Sequence, residues 1–288
     1  MSSRVTRCSL DAALEAVAGA ALIVAFTSSR SQRPRTLRYR LDGSLGLVTT
    51  SGSAAGKRAG KQRASRPRDE RWTPAELISI LGERYGRAAQ QPSHAPVIEL
   101  VLTLLSQHTS DHNSGRAMHQ LLARFPEWDE VIEAPASEVE DAIRAGGLAP
   151  TKSKRLQALL AEVRERAPDY DLSMLETTPL DEAKAWLTSL PGVGPKTAAC
   201  VLLFALGRPA LPVDTHVERV SKRLGLVPPK TAADKAHALL EAMLEPDEVY
   251  AFHVDLIQHG RRTCHARSPQ CETCPLLPRC PRVGLPPI

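Results

Sequence analysis

A lysine and an aspartate in the C-terminal part of this chain stand in settings that suit covalent chemistry. Lys196 directly follows a glycine-rich turn, and Asp214 lies further on, in the segment Val-Asp-Thr-His over residues 213–216. An uncharged lysine amine is a nucleophile, and a carboxylate can stabilise positive charge that develops on a reacting molecule. Each residue also has an ordinary interpretation, because a first-turn lysine is commonly solvated and an aspartate before a threonine commonly caps a helix.

The glycine-rich turn has the composition of a phosphate-binding hairpin. Gly192 and Gly194 remove side chains from around the backbone N–H groups, so an anion can approach them closely. Pro195 suits the first position of a following helix, whose positive end would point at the same place. We therefore predict one helix over residues 181–189, the turn, and a second helix from Pro195 to a stop at Gly207. An ordinary connection between two helices is the other interpretation.

A group of four cysteines near the C-terminus has the spacing of a metal site. Six, two and five residues separate Cys264, Cys271, Cys274 and Cys280. Spacing alone leaves both Zn²⁺ and an iron–sulfur cluster open, because both are held by closely spaced thiolates. A secreted disulfide framework is not expected in a chain of 288 residues with only six cysteines. The cysteine content favours a reducing compartment.

The elements that must position these residues are helices. Thr73 and Pro74 have the types of an N-cap and a first helical residue, and Asp111 is predicted to cap a later helix. Apolar residues recur with helical spacing, and no segment after Trp72 has the pattern of a strand. The further predicted helices cover residues 97–105, 136–145, 153–166 and 215–224. The pattern predicts an all-helical protein.

The N-terminal part differs in composition from the rest. Residues 51–71 interleave Gly, Ala and Ser with Lys and Arg, a composition that cannot bury a core. We expect residues 1–71 to be a basic, low-complexity and largely disordered extension. The apolar run over residues 12–26 is too short for a membrane span. A net charge of +5 favours an anionic partner.

Taken together, these segments resemble the endonuclease III family of helix-hairpin-helix DNA glycosylases. The resemblance rests on residues 190–198, on the acidic segment 213–216 and on the spacing of the four cysteines. It implies a six-helix barrel domain over residues 90–208 that carries the helix-hairpin-helix. It also implies an iron–sulfur domain built from residues 72–89 and 209–283, with a DNA cleft between the two domains. By the same resemblance, Lys196 is the Schiff-base lysine, Asp214 is the catalytic aspartate and the four cysteines bind a [4Fe-4S] cluster.

The resemblance implies a bifunctional enzyme of base excision repair. Such an enzyme removes oxidised pyrimidines and nicks abasic sites, acting as a monomer on damaged double-stranded DNA in the cytoplasm, where the nucleoid lies. His108 falls where the family usually has a glutamine that fills the gap left by a flipped base, and Gln107 precedes it. The residues expected to contact DNA are Gln107, His108, Leu148, Gly192, Val193, Gly194, Thr197, His216, His265 and Arg267.

Two other functions compete with this interpretation. One is a monofunctional, mismatch-directed glycosylase, against which Lys196 argues because such enzymes normally have another residue there. The other is a noncatalytic iron–sulfur protein whose hairpin only binds phosphate. A duplex with one abasic site separates the binding protein from the enzymes, because only an enzyme would nick it.

Overall fold

The structure is a computed structural model that describes residues 71–87 and 89–288. The predicted basic extension and the apolar run over residues 12–26 lie outside the described residues, except for Arg71. Twelve α-helices and no β-strand occur in the described part of the chain, which confirms the all-helical fold class. The helices are α1 Pro74–Tyr85, α2 Pro96–Ser106, α3 Asp111–Arg124, α4 Trp128–Glu133, α5 Ala136–Ile143, α6 Ala149–Arg166, α7 Met174–Thr177, α8 Leu180–Thr188, α9 Pro195–Cys200, α10 Thr215–Arg223, α11 Ala233–Glu241 and α12 Val249–Arg262.

The first of two hydrophobic cores is formed by α2 to α9. Leucines on one face of each long helix meet at its centre, including the fully buried Leu100, Leu121 and Leu156. Each such leucine stabilises the fold by about 1.5–3 kcal/mol through removal of its side chain from water. This core holds together the helices on both sides of the glycine-rich turn.

The second core brings the two ends of the described chain together. Helix α1 packs against α12, and α12 packs against α10. The Nε1–H of Trp72 donates a hydrogen bond of 3.0 Å to the carbonyl of Leu276, between two of the cysteines. Two cores of this kind accord with the predicted pair of helical domains, whose boundaries at residues 72–89, 90–208 and 209–283 stay a prediction.

The two cores are joined at the end of α9. The helix continues through Val201–Ala205 as a π-helical turn, a widening that the sequence did not predict. Carbonyl groups at this end of the helix accept hydrogen bonds from another segment: Ser93 N–H donates to Phe204 O at 2.9 Å and His94 N–H donates to Ala205 O at 3.0 Å. The backbone leading into α2 is thereby fixed against the end of α9.

Most helix starts that were predicted from local chemistry are correct to within one residue, but α6 begins at Ala149 rather than at the predicted Ser153. Thr73 caps α1 in a capping box with Glu76, as its type indicated. The expected cap at Asp111 was wrong, because Ser110 is the N-cap and accepts from the N–H of Asn113 at 3.4 Å. Asp111 instead begins the helix and pairs with Arg261 of α12 at 2.5 Å. No helix in the described residues is long and apolar enough to cross a membrane.

Candidate active site

The glycine-rich turn is anchored by its apolar residues and exposes its glycines. Leu190 and Val193 are buried, and the N–H of Val193 donates to the carbonyl of Leu190 at 3.2 Å. Gly192 has a φ of +77°, a left-handed conformation that favours glycine. A Cβ added at Gly192 or Gly194 would meet no atom within 4 Å, so the backbone here is open to a ligand. Val193 was predicted to contact DNA, but because its side chain is buried, only its backbone can reach a ligand.

Lys196 lies in the first turn of α9 with its residue exposed. Thr197, which was expected to contact DNA, is only 5% exposed and points into the protein. The side chain of Cys200, one turn further on, is buried. Burial raises the pKa of that thiol to about 12, with a lowering contribution from Lys196 and raising contributions from Glu99 and Asp214. The charges of all three residues therefore affect the pKa of the same buried thiol.

Asp214 both caps a helix and faces the site. Its Oδ1 accepts hydrogen bonds from the N–H groups of His216, at 2.9 Å, and Val217, at 2.7 Å. The ordinary interpretation of this residue is thus correct, and it does not compete with the catalytic one. Asp214 and Lys196 also act with opposite signs on the pKa of the buried His253, which burial lowers to about 4. The cap therefore fixes the Asp214 carboxylate near the same buried imidazole that the lysine affects.

His216 is held at the contact between α10 and α12. Its Nδ1 lies 3.0 Å from Nη2 of Arg219, which also donates to the carbonyl of Gly260 at 2.9 Å. A Cβ at Gly260 would lie 2.9 Å from that of His216, so the two helices are in close contact only because this residue is glycine. Burial lowers the pKa of His216, which favours the neutral imidazole. The residue is half-buried and reaches the surface beside Asp214.

Two of the residues expected to contact DNA, His108 and Leu148, lie on loops in a strained backbone conformation. His108 and Leu148 have φ values of +55° and +51°, which are uncommon for residues other than glycine. His108 is exposed, and 59% of Leu148 is accessible although its side chain is apolar. Gln107 is half-buried. Strain and apolar exposure of this kind are typical of binding sites.

A buried lysine ties these two loops together. The Nζ of Lys152, a residue 3% exposed, donates to Leu105 O at 2.7 Å, to Gly146 O at 2.8 Å and to Thr109 Oγ1 at 2.9 Å. Thr109 in turn donates to Gly146 O. The sequence analysis missed Lys152, because its partners are distant in sequence and no motif marks it.

The four cysteines line one cavity between α10, α12 and the C-terminal segment. Leu224, Leu276 and Leu277 supply apolar walls. Burial and, to a smaller extent, the charges of the other three cysteines raise the pKa of Cys274 to about 11. Within residues 71–87 and 89–288, no group of three or more metal-binding side chains is arranged to hold a metal ion. Four half-buried thiols around one cavity nevertheless form a donor set that a metal group could bind as thiolates.

Two residues outside the predicted set support the cysteine loop. Arg223 donates to the carbonyls of His265 at 2.6 Å and Ala266 at 3.0 Å, and its Nη1 lies 3.2 Å from Cys264 Sγ. His259 Nε2 lies 3.6 Å from Cys274 Sγ. His265 is half-buried, whereas Arg267 is exposed on the same loop. The loop therefore holds a cationic side chain at the surface while its backbone is fixed from within.

Comparison with known proteins decides the family. The sequence profile of the HhH-GPD superfamily of base excision DNA repair proteins matches residues 101–246. Endonuclease III of Bacillus subtilis is 34% identical over 204 residues, which cover 70% of this chain and 89% of that protein. The chain belongs to the endonuclease III family. It is accordingly an enzyme of the DNA glycosylase and abasic-site lyase class.

Other matches are consistent with membership of the endonuclease III family. A putative DNA glycosylase of Arabidopsis thaliana is 40% identical over 163 residues, and the match spans 55% of that protein's length. The structure of a non-covalent endonuclease III–DNA complex superposes with a TM-score of 0.62 at 30% identity, covering 73% of this chain and 96% of that one. A trapped covalent endonuclease III–DNA intermediate superposes with a TM-score of 0.63, also at 30% identity.

Proposed function

We propose that this chain is a bifunctional DNA glycosylase that removes oxidised pyrimidines and nicks abasic sites through a Schiff base on Lys196. The observation that supports this most directly is an exposed lysine beside an open glycine turn, together with the helix-capping Asp214, which acts on the same buried histidine as the lysine. Similarity to a trapped covalent endonuclease III–DNA intermediate points the same way. The partner is double-stranded DNA that contains a damaged base or an abasic site.

Access to the reacting sugar requires the nucleotide to leave the base stack. An enzyme cannot reach the atoms of a base inside a duplex, so the nucleotide must rotate outward. The open amides at Gly192 and Gly194 would bind a phosphate beside it. Leu148 and His108, presented on loops fixed by Lys152, would enter the vacated space. His216, His265 and Arg267 would contact the DNA backbone.

The covalent chemistry follows from the lysine amine. Uncharged Lys196 Nζ forms a bond to C1′ as the bond to the base breaks, and the electron pair of that bond leaves with the base. The sugar ring opens to an imine, which acidifies the C2′ proton. Loss of that proton expels the 3′ phosphate and nicks the strand. Asp214 would stabilise positive charge on the sugar in this sequence.

The cysteines would hold a [4Fe-4S] cluster. All four line one cavity, and the cationic Arg223 and the ring of His259 contact two of their sulfurs, so the donor set fits the cluster chemically. Its chemical contribution would be to neutralise the thiolates and fix the loop of Arg267. Anaerobically purified protein should contain iron and sulfide and absorb visible light. Zinc without visible absorbance would contradict this assignment.

The proposal is tested by replacing the lysine and trapping the imine. We expect Lys196→Gln to bind a duplex containing thymine glycol or an abasic site while giving no adduct with borohydride, because glutamine cannot form an imine. Lys154→Gln, a change at an exposed lysine on α6, is the matched control and should trap normally. Trapping by Lys196→Gln at the wild-type level would exclude Lys196 as the nucleophile. A panel of lesions, scored separately for base release and nicking, defines the substrates.

A further inference from the structure

Glu99 is a charged residue in a helix that is otherwise built for the core. Val97, Ile98, Leu100 and Val101, on either side of it in α2, are all buried. Glu99 is partly exposed. Burying a carboxyl costs free energy unless it is hydrogen-bonded or paired with an opposite charge. A charged residue within an apolar stripe was a visible signal in the sequence, although Glu99 was not among the predicted site residues.

Glu99 lies on a helix that packs against the helix of Lys196. Helix α2 contacts α9, whose first turn contains Lys196. Thr103, one turn along α2 from Glu99, donates to Glu99 Oε1 at 3.2 Å and also hydrogen-bonds the side chain of Cys200, one turn along α9 from Lys196. Glu99 and Lys196 interact electrostatically, and both act on the thiol of Cys200, as does Asp214 at the cap of α10.

The two carboxylates differ in the hydrogen bonds that they accept. Oδ1 of Asp214 accepts two backbone hydrogen bonds, so this residue is tied to its helix. Glu99 accepts one hydrogen bond from a hydroxyl. Burial raises the pKa of Glu99 to about 7, against lowering by Thr103 and Lys196. A carboxyl of this kind changes its protonation near neutral pH, where proton exchange with a reacting group is most effective.

We propose that Glu99 accepts the proton of the Lys196 ammonium and so generates the amine that attacks the sugar. In this step an N–H bond of Nζ breaks, its electron pair stays on nitrogen, and the proton forms an O–H bond with a Glu99 carboxylate oxygen. The titratable groups that interact with this pair are the Asp214 carboxylate at the cap of α10, the neutral Cys200 thiol on α9 and the neutral His253 imidazole on α12. The inference rests on the proposed function, because it assigns a task only if Lys196 is the nucleophile.

The test is the pH dependence of imine formation by Glu99→Gln. Single-turnover trapping on an abasic duplex is measured from pH 6 to pH 9.5 with wild type and variant. The wild-type rate should rise as pH passes through about 7, when the carboxylate forms, and then level off. Glu99→Gln should be slower by about 10²-fold at pH 7, a typical contribution of general-base catalysis. The difference should shrink toward pH 9.5, where hydroxide ion can take the place of the missing carboxylate as the base.

Asp255→Asn is the matched control. Asp255 is also a buried carboxyl whose pKa burial raises to about 7, but its charged neighbour is Arg87 rather than Lys196. This variant should keep the wild-type profile. Thr103→Val supplies an independent readout if Glu99→Gln does not fold. Loss of the Thr103 hydroxyl raises the pKa of Glu99, so the rise in rate should move to higher pH.

Three results would overturn the role of Glu99. They are a wild-type rate for Glu99→Gln, an equal slowing at every pH, and an unmoved profile for Thr103→Val. Each of these leaves the proposed function intact so long as wild type traps and Lys196→Gln does not. Absence of a trapped adduct in the wild type itself would instead contradict the proposed function.

Discussion

Lys152 illustrates how one buried charge can fix the geometry of a binding surface. An ammonium group removed from water is costly unless its protons are bonded. The Nζ of Lys152 satisfies this requirement with the Leu105 carbonyl at the end of α2, and with the Thr109 hydroxyl and the Gly146 carbonyl in the segments that carry His108 and Leu148. Those loops hold strained residues in place, so the stability of the core and the shape of the surface depend on the same side chain.

We predict that Lys152→Met lowers the free energy of unfolding by about 3 kcal/mol, because it removes three charge-assisted hydrogen bonds and leaves the Leu105 carbonyl without its donor. Methionine keeps most of the volume, so packing changes little. The measurement is urea denaturation, with the exposed Lys154→Met as control. Equal midpoints for the two variants would show that the network does not stabilise the fold.

At the scale of elements, the hairpin between α8 and α9 uses different residues to stabilise the fold and to face a ligand. Leu190 and Val193 fix the turn in the first core, while the two glycines face outward. The glycines differ in backbone conformation, since Gly192 is left-handed and Gly194 is extended at a φ of −97°. Only the first needs glycine for its own conformation, so the two positions can be distinguished experimentally.

Gly192→Ala should lower the free energy of unfolding by about 1–2 kcal/mol, because a Cβ is disfavoured in the left-handed region. Gly194→Ala should leave stability unchanged, since its Cβ would enter open space. Both variants should bind an abasic duplex more weakly, because a methyl group would stand where a phosphate approaches. The measurements are thermal unfolding and a binding titration at fixed salt. Undiminished affinity of Gly194→Ala would argue against a phosphate at this turn.

For the whole molecule, helix α12 supplies many residues of the second core and also buries a carboxyl group whose charge depends on pH. This helix buries residues on all sides, among them Asp255, which is 3% exposed. Burial raises the pKa of Asp255 from an ordinary 3.8 to about 7. The folded state therefore holds a proton that the unfolded state has lost between about pH 4 and pH 7. Over that range this residue makes the protein less stable as pH rises, and above it the penalty is constant.

We expect Asp255→Asn to be more stable than the wild type at pH 8, by about 4 kcal/mol at most, the value that this pKa shift implies. The amide has no charge to bury, so the advantage should vanish near pH 4. The measurement is denaturant unfolding at both pH values. A variant as stable as the wild type at pH 8 would show that the Asp255 carboxylate is not destabilising.

The sequence determined the features that depend on neighbours along the chain. Helical periodicity, the caps at Thr73 and Asp214, and the glycines of the turn were predictable because the interactions that specify them span only a few residues. Even so, the cap before α3 was assigned to Asp111 rather than to Ser110, since adjacent residues of similar capping ability compete. Helix α12 went unpredicted because residues buried on all sides leave no periodic stripe.

Tertiary structure alone decided which of these residues share a site. Glu99 interacts electrostatically with Lys196, Lys152 joins two loops, Arg223 supports the cysteine loop, and Asp111 pairs with Arg261. Each of these interactions joins residues that are far apart in sequence or in different elements, and their energies depend on burial and distance. Periodicity and motif spacing contain neither quantity, because both are set when the helices pack.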